Sequence, residues 1–211
     1  METPTDEQLL GDHLLQNPGA FDKLVKRHHR ELYQFVLRFT NSPAAAEDVV
    51  QNAFLQVHLS AAGFDRERRF KPWLFAIAAN KARDWLRRRS RQDEVPLDAF
   101  IDGGQEGGQR FADLLAAAEP PEDALLERDE QRAAVRSVVE RMPTLLREVL
   151  VLAYYHQFPY REMAGVLGIP LGTVKSRLHA AVACFGKKYK ESIRESHTDE
   201  LAPPTRQESP G

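Results

Sequence analysis

The stretch Pro159 to His179, P-Y-R-E-M-A-G-V-L-G-I-P-L-G-T-V-K-S-R-L-H, decides the fold. Met163, Ala164 and Leu167 recur at helical spacing, and Gly168 ends that helix because glycine accepts the left-handed backbone of a cap. Ile169-Pro170 opens a second segment, in which Val174, Leu178 and Val182 form one apolar face. Thr173, Lys175, Ser176, Arg177 and His179 fall on the other faces. A small residue where two helices cross, a glycine at the turn and a cationic, hydrogen-bonding second helix predict a helix-turn-helix whose second helix lies in a DNA major groove. A purely structural helical hairpin would not need that cationic face.

Working outward, Val135, Val138, Val139 and Met142 form an apolar stripe that ends at Pro143. Thr144 is expected to cap a helix carrying Leu146, Val149, Leu150 and Ala153. Before this unit, residues 92–121 are rich in glycine, proline, aspartate and glutamate, the composition of a flexible acidic linker. After it, residues 191–211 are polar and proline-rich, and are expected to fray from helix into disorder. The helix-turn-helix unit therefore spans 122–190.

Residues 1–91 read as a separate helical unit. Thr5 and Gln8 form a capping box, and Asn17-Pro18 is expected to open a helix with Phe21, Leu24, Val25, His28, Leu32, Phe35, Val36 and Phe39 along one stripe. Ser42-Pro43 caps the next helix, where Val50, Phe54 and Val57 turn inward while Glu47, Asp48, Gln51, Asn52 and Leu55 stay outside. A polar loop around Gly63-Phe64-Asp65 leads to a helix whose apolar contacts are assigned to Trp73, Ile77 and Trp85. Arg68, Arg69, Lys71, Lys81, Arg83, Arg87, Arg88, Arg89 and Arg91 crowd that segment, with Asp84 its one acidic residue. Complementing a helix dipole accounts for the terminal arginines but not for the earlier cations, so the segment reads as a nucleic-acid face.

The formal net charge of -2 over 211 residues excludes nothing, because the acidic and basic residues are segregated along the chain. The single cysteine, Cys184, forms no internal disulfide and offers no zinc spacing, and no cofactor or metal site is expected. The N-terminus lacks the pattern of a signal peptide, and no run approaches the roughly 20 apolar residues of a membrane span. A cytoplasmic protein without membrane insertion is expected. No glycine-rich phosphate loop or nucleophile motif points to an enzyme.

Four segments together resemble the two-domain extracytoplasmic-function (ECF) sigma factors of bacterial RNA polymerase. In the first unit they are A-E-D-V-V-Q-N-A-F at Ala46 to Phe54 and P-W-L-F-A-I-A-A-N-K-A-R-D-W-L-R-R-R at Pro72 to Arg89. In the second they are L-R-E-V-L-V-L at Leu146 to Leu152 and G-I-P-L-G-T-V-K-S-R-L-H at Gly168 to His179. The resemblance implies an all-α chain of two small domains, sigma region 2 over 1–91 and sigma region 4 over 122–190.

It also implies roles. Asp48, Gln51, Asn52 and Leu55 would dock on the clamp helices of core RNA polymerase. Phe64, Asp65, Asn80, Lys81, Arg83, Arg87 and Arg88 would hold the minus-ten element of promoter DNA, with a base drawn out of the stack and the displaced strand gripped by cations. Thr173, Lys175, Ser176, Arg177 and His179 would read the minus-thirty-five element as duplex. The linker would run toward the transcript exit path, and an anti-sigma factor is a further partner that the resemblance allows. Three departures stand out: Pro159 replaces a side-chain helix cap, His58 stands where tryptophan is common, and A-A-V-A-C-F follows His179 where basic residues are usual. A one-component regulator is the main rival reading. It has no use for a second basic, aromatic-bearing helix in the N-terminal half.

Overall fold

The computed structural model describes residues 3–90 and 125–200, all of whose regular structure is helical. In the first unit α1 (Asp6–Leu14), α2 (Ala20–Thr40), α3 (Pro43–Ser60) and α4 (Phe70–Ser90) pack around one another, with a short 3-10 turn at Ala61–Gly63. The second comprises α5 (Leu125–Glu140), α6 (Thr144–Leu150), a π turn at Val151–Tyr155, α7 (Tyr160–Leu167) and α8 (Leu171–Glu200). The linker expected at 92–121 lies outside the described residues, as does 201–211.

Local chemistry sets several boundaries. Thr5 accepts from the Gln8 amide while the Gln8 side chain accepts from the Thr5 amide, the reciprocal pairing of a capping box. Ser42 accepts from the amide of Ala45, with Pro43 at the first helical position. Gly168 closes α7 at φ 66°, and Pro159 caps it without a side-chain bond.

Other boundaries differ from expectation. The N-cap of α2 is Gly19, and its helix starts at Ala20 rather than at Pro18. Pro143, not Thr144, is the N-cap of α6. α8 continues to Glu200, so the first ten residues of the expected disordered tail are helical. In α4 the fully buried side chains are Phe70, Leu74, Phe75, Ala78, Ala79 and Ala82, while Trp73, Ile77 and Trp85 are only partly covered. The reason is that α4 has neighbours on more than one side: it packs on α2 and α3 within its own unit and on α7 of the other. A helix covered from several directions loses the single apolar stripe. The buried residues of both units consequently form one continuous cluster rather than two cores.

Candidate polymerase and nucleic-acid interface

Along α3, Ala46, Val49, Val50, Ala53, Phe54 and Val57 are buried, leaving Glu47, Asp48, Gln51 and Leu55 on the outer face. The Asn52 side-chain amide donates to both the backbone oxygen and the carboxylate of Asp48, at 2.8 and 2.9 Å. This pairing orders one polar ridge beside Leu55, which is 53% exposed. Leu59, 69% exposed, extends the patch by a turn and was missed in the sequence. Its spacing of four from Leu55 was the available signal. His58 packs edge-on to Phe21, with Nδ1 3.1 Å from Nε2 of His13.

The loop before α4 is organised by its own side chains. Asp65 accepts from the amide of Glu67 and pairs with Arg68. Phe64 is half-buried, its ring 4.6 Å from that of Trp73 and 6.3 Å from Phe70. It is therefore one edge of an aromatic cluster rather than an isolated exposed ring. Asn80 is exposed and accepts from Arg83, Arg87 pairs with Asp84, Lys81 is half-buried and Arg88 is exposed. Arg89 lies over the Trp85 ring at 5.4 Å, adding another cation to that end of the helix.

On α8, Val174 and Leu178 are buried, which turns Lys175, Ser176 and His179 outward. The Ser176 hydroxyl donates to the backbone oxygen of Thr173, whose side chain is half-exposed. Arg177 behaves differently: its guanidinium lies 3.3 Å from Glu148. Glu148 also takes a bond of 3.1 Å from Nε of Arg83 on α4. One carboxylate, with a side chain only 1% exposed, thus joins an arginine from each of the two expected DNA surfaces.

Sequence reasoning did not single out Glu148. The signal was there, since two opposite charges interrupt an otherwise apolar run at Arg147-Glu148, and charges in such a place must be partnered. Burial raises the Glu148 pKa, opposed by Arg83 and Arg177. Arg147 is buried as well, which lowers its pKa, and it donates to the backbone oxygens of Phe39 and Glu140 at 2.8 and 2.9 Å.

Two family matches cover much of this architecture: residues 24–92 match Sigma-70 region 2 and residues 132–185 match Sigma-70 region 4. The chain is 31% identical over 195 residues to the RNA polymerase sigma-H factor of Pseudomonas aeruginosa, covering 90% of this chain and 97% of that protein. It is likewise 31% identical over 172 residues to the ECF RNA polymerase sigma factor SigW of Bacillus subtilis, covering 82% and 90% of the two chains. Among solved structures, that of CnrH in complex with the cytosolic domain of CnrY is 26% identical, with a TM-score of 0.57 over 93% of this chain and 99% of that one. The region 2 match falls on the unit with the polar ridge of α3 and the basic helix α4, the region 4 match on the unit with the helix-turn-helix, and the chain belongs to the ECF sigma factors.

Proposed function

We propose that this chain binds core RNA polymerase through the outer face of α3 and directs promoter-specific initiation through two DNA surfaces of different kinds. The observation that carries the reading is the separation of these surfaces onto different elements. α3 presents Asp48, Gln51, Asn52 and Leu55 with few cations, α4 presents a basic helix beside an aromatic cluster, and α8 presents Lys175, Ser176 and His179 on a helix-turn-helix. Cations next to aromatic rings suit unstacked bases, and a helix with an open polar N-terminal face suits a major groove. Strand separation costs about 1.4 kcal/mol per stacked step, so capture of unstacked bases by the first unit would turn binding energy into an opened bubble. That role needs positioning and charge, and no covalent chemistry.

Reconstitution tests this. Core polymerase supplemented with the purified chain is expected to start transcripts at fixed positions that core alone does not use. Asp48→Arg is expected to weaken the complex with core and to leave duplex binding by the chain unchanged. Unchanged core affinity would remove α3 as the docking surface, and core-independent repression of the same promoters would favour the regulator reading.

A further inference from the structure

The last turns of α1 and α3 bring together His13 and His58, two histidines that 45 positions of sequence separate. Nε2 of His13 lies 3.1 Å from Nδ1 of His58, and the ring centroids are 5.0 Å apart. That centroid distance is shorter than the nitrogen separation plus two ring radii, so the rings meet at a bend rather than end to end. An N–H···N bond prefers to be straight, whereas two ligands of one ion meet at an angle. Phe21, which itself packs edge-on to Phe54, lies 4.7 Å from the His13 ring and 5.6 Å from that of His58. His13 is half-buried and His58 is exposed, so the pair has an aromatic wall on one side and solvent on the other. Burial lowers the His13 pKa, and the neighbouring His58 lowers it further. A neutral imidazole keeps the lone pair that a metal ligand needs.

We infer that His13 and His58 form a two-imidazole site for a late first-row divalent ion such as Zn²⁺ or Cu²⁺, joining α1 to α3. Two nitrogens each about 2.0–2.1 Å from one ion at a tetrahedral angle stand about 3.3 Å apart, so this pair has to part by only about 0.2 Å. Imidazole nitrogen suits zinc and copper, whereas Mg²⁺ and Ca²⁺ take oxygen ligands. Among the described residues no group of three or more His, Cys, Asp or Glu side chains could hold a metal ion. The chain therefore supplies two ligands, and water fills the remaining positions on the open side of the pair. Such a site is reversible, unlike the closed set of four ligands that holds a structural zinc. α1 packs mainly on α2, so an ion here adds a direct tie from α1 to α3. Neither histidine is among the residues proposed to touch polymerase or DNA, and the inference is independent of the promoter reading.

The test titrates Zn²⁺ alone into the untagged full chain by calorimetry, at a pH above the imidazole range. A single equivalent per chain is expected to bind. Removing either imidazole loses the advantage of two ligands held on one body, so His13→Gln and His58→Trp are each expected to weaken the Kd about 100-fold or more. His29→Gln, at an exposed position of α2, is expected to leave it unchanged. His58→Trp keeps an aromatic ring beside Phe21; if either variant loses helical circular dichroism, His13→Asn or His58→Phe takes its place. Zn²⁺ at about 100 times its Kd is expected to raise the folded-to-unfolded ratio in urea about 100-fold in the parent chain and in neither variant. Cu²⁺ gives a second reading, since its electron paramagnetic resonance is expected to show two equatorial imidazole nitrogens in the parent and fewer in each variant. Three results would overturn the inference. Affinity unchanged in both variants would place the ion elsewhere, and affinity lost in only one would mean a single ligand. A parent that binds neither ion would leave the pair as an ordinary N–H···N hydrogen bond.

Discussion

Arg147 and Glu148 are neighbours in sequence with different tasks. Arg147 reaches the C-terminal carbonyls of two helices, Phe39 on α2 and Glu140 on α5, and so satisfies acceptors that have no partner within their own helices. Arg147→Ala leaves these carbonyls short of a donor, although Asn41 still donates to Glu140. A loss of about 1–3 kcal/mol per unsatisfied group is expected in urea unfolding; a loss below about 0.5 kcal/mol would mean that water replaces the guanidinium. His156 and Glu31 add a dependence on pH. Burial lowers the His156 pKa below its ordinary value, with Arg38 and Lys71 acting in the same direction and Glu31 opposing them. Nδ1 of the ring shares a hydrogen bond with Glu31. That hydrogen bond, with Lys71 adding, brings the Glu31 pKa to about 2 although burial pushes it up. Both groups are depressed, so both stabilise at higher pH. The His156 part is lost as pH falls below the ordinary 6.5, and the Glu31 part as it falls from 4.5 toward about 2. Urea midpoints measured from about pH 7.5 down to 3 are expected to fall in these two stages, and His156→Phe to remove the upper one. The Arg147–Phe39 and His156–Glu31 partnerships were not legible in the sequence, because those partners lie more than 100 positions apart.

At the scale of elements, the sequence was most readable where a helix has one covered face. The stripe of α2 and the inward positions Val50, Phe54 and Val57 of α3 are buried or half-buried as spacing predicts. Capping was readable at Thr5 and Ser42, where the hydroxyl and its acceptor geometry are local, and misleading at Thr144, where Pro143 takes the cap position. α4 was the least readable because neighbours on several sides erase its period. The π turn at Val151–Tyr155 has no sequence signature, yet it precedes His156 and Phe158, which pack against the first unit. Gly168 gives a clean element-scale prediction. Its φ is 66° and open space lies where a methyl group would stand, so Gly168→Ala meets backbone strain rather than a clash with a packed neighbour. A destabilisation of about 1–2 kcal/mol is expected from denaturant unfolding, and an unchanged midpoint would show that the turn relaxes to another conformation.

For the whole molecule, the motif order predicted two helical units in the right sequence, and spacing could not reveal that they share a seam. Each unit has its own apolar stripes, which invites the expectation of independent halves, but buried residues from both join in one cluster. The proposed function is a division of labour in which α8 would bind promoter duplex and α4 with its preceding loop would bind the unpaired strand. Lys175 is exposed on α8, and Asn80 is exposed on α4. The most direct measurement compares holoenzymes carrying Lys175→Ala or Asn80→Ala on a duplex promoter and on the same promoter with its bubble already mismatched. Lys175→Ala is expected to weaken binding to both templates alike, by about 1–3 kcal/mol for a base contact or with a flatter salt slope for a phosphate contact. Asn80→Ala is expected to spare the closed duplex complex and slow its opening, with the opening defect relieved by the mismatched bubble. Equal losses of closed-duplex binding in both variants, with no added defect in opening, would contradict this division of labour.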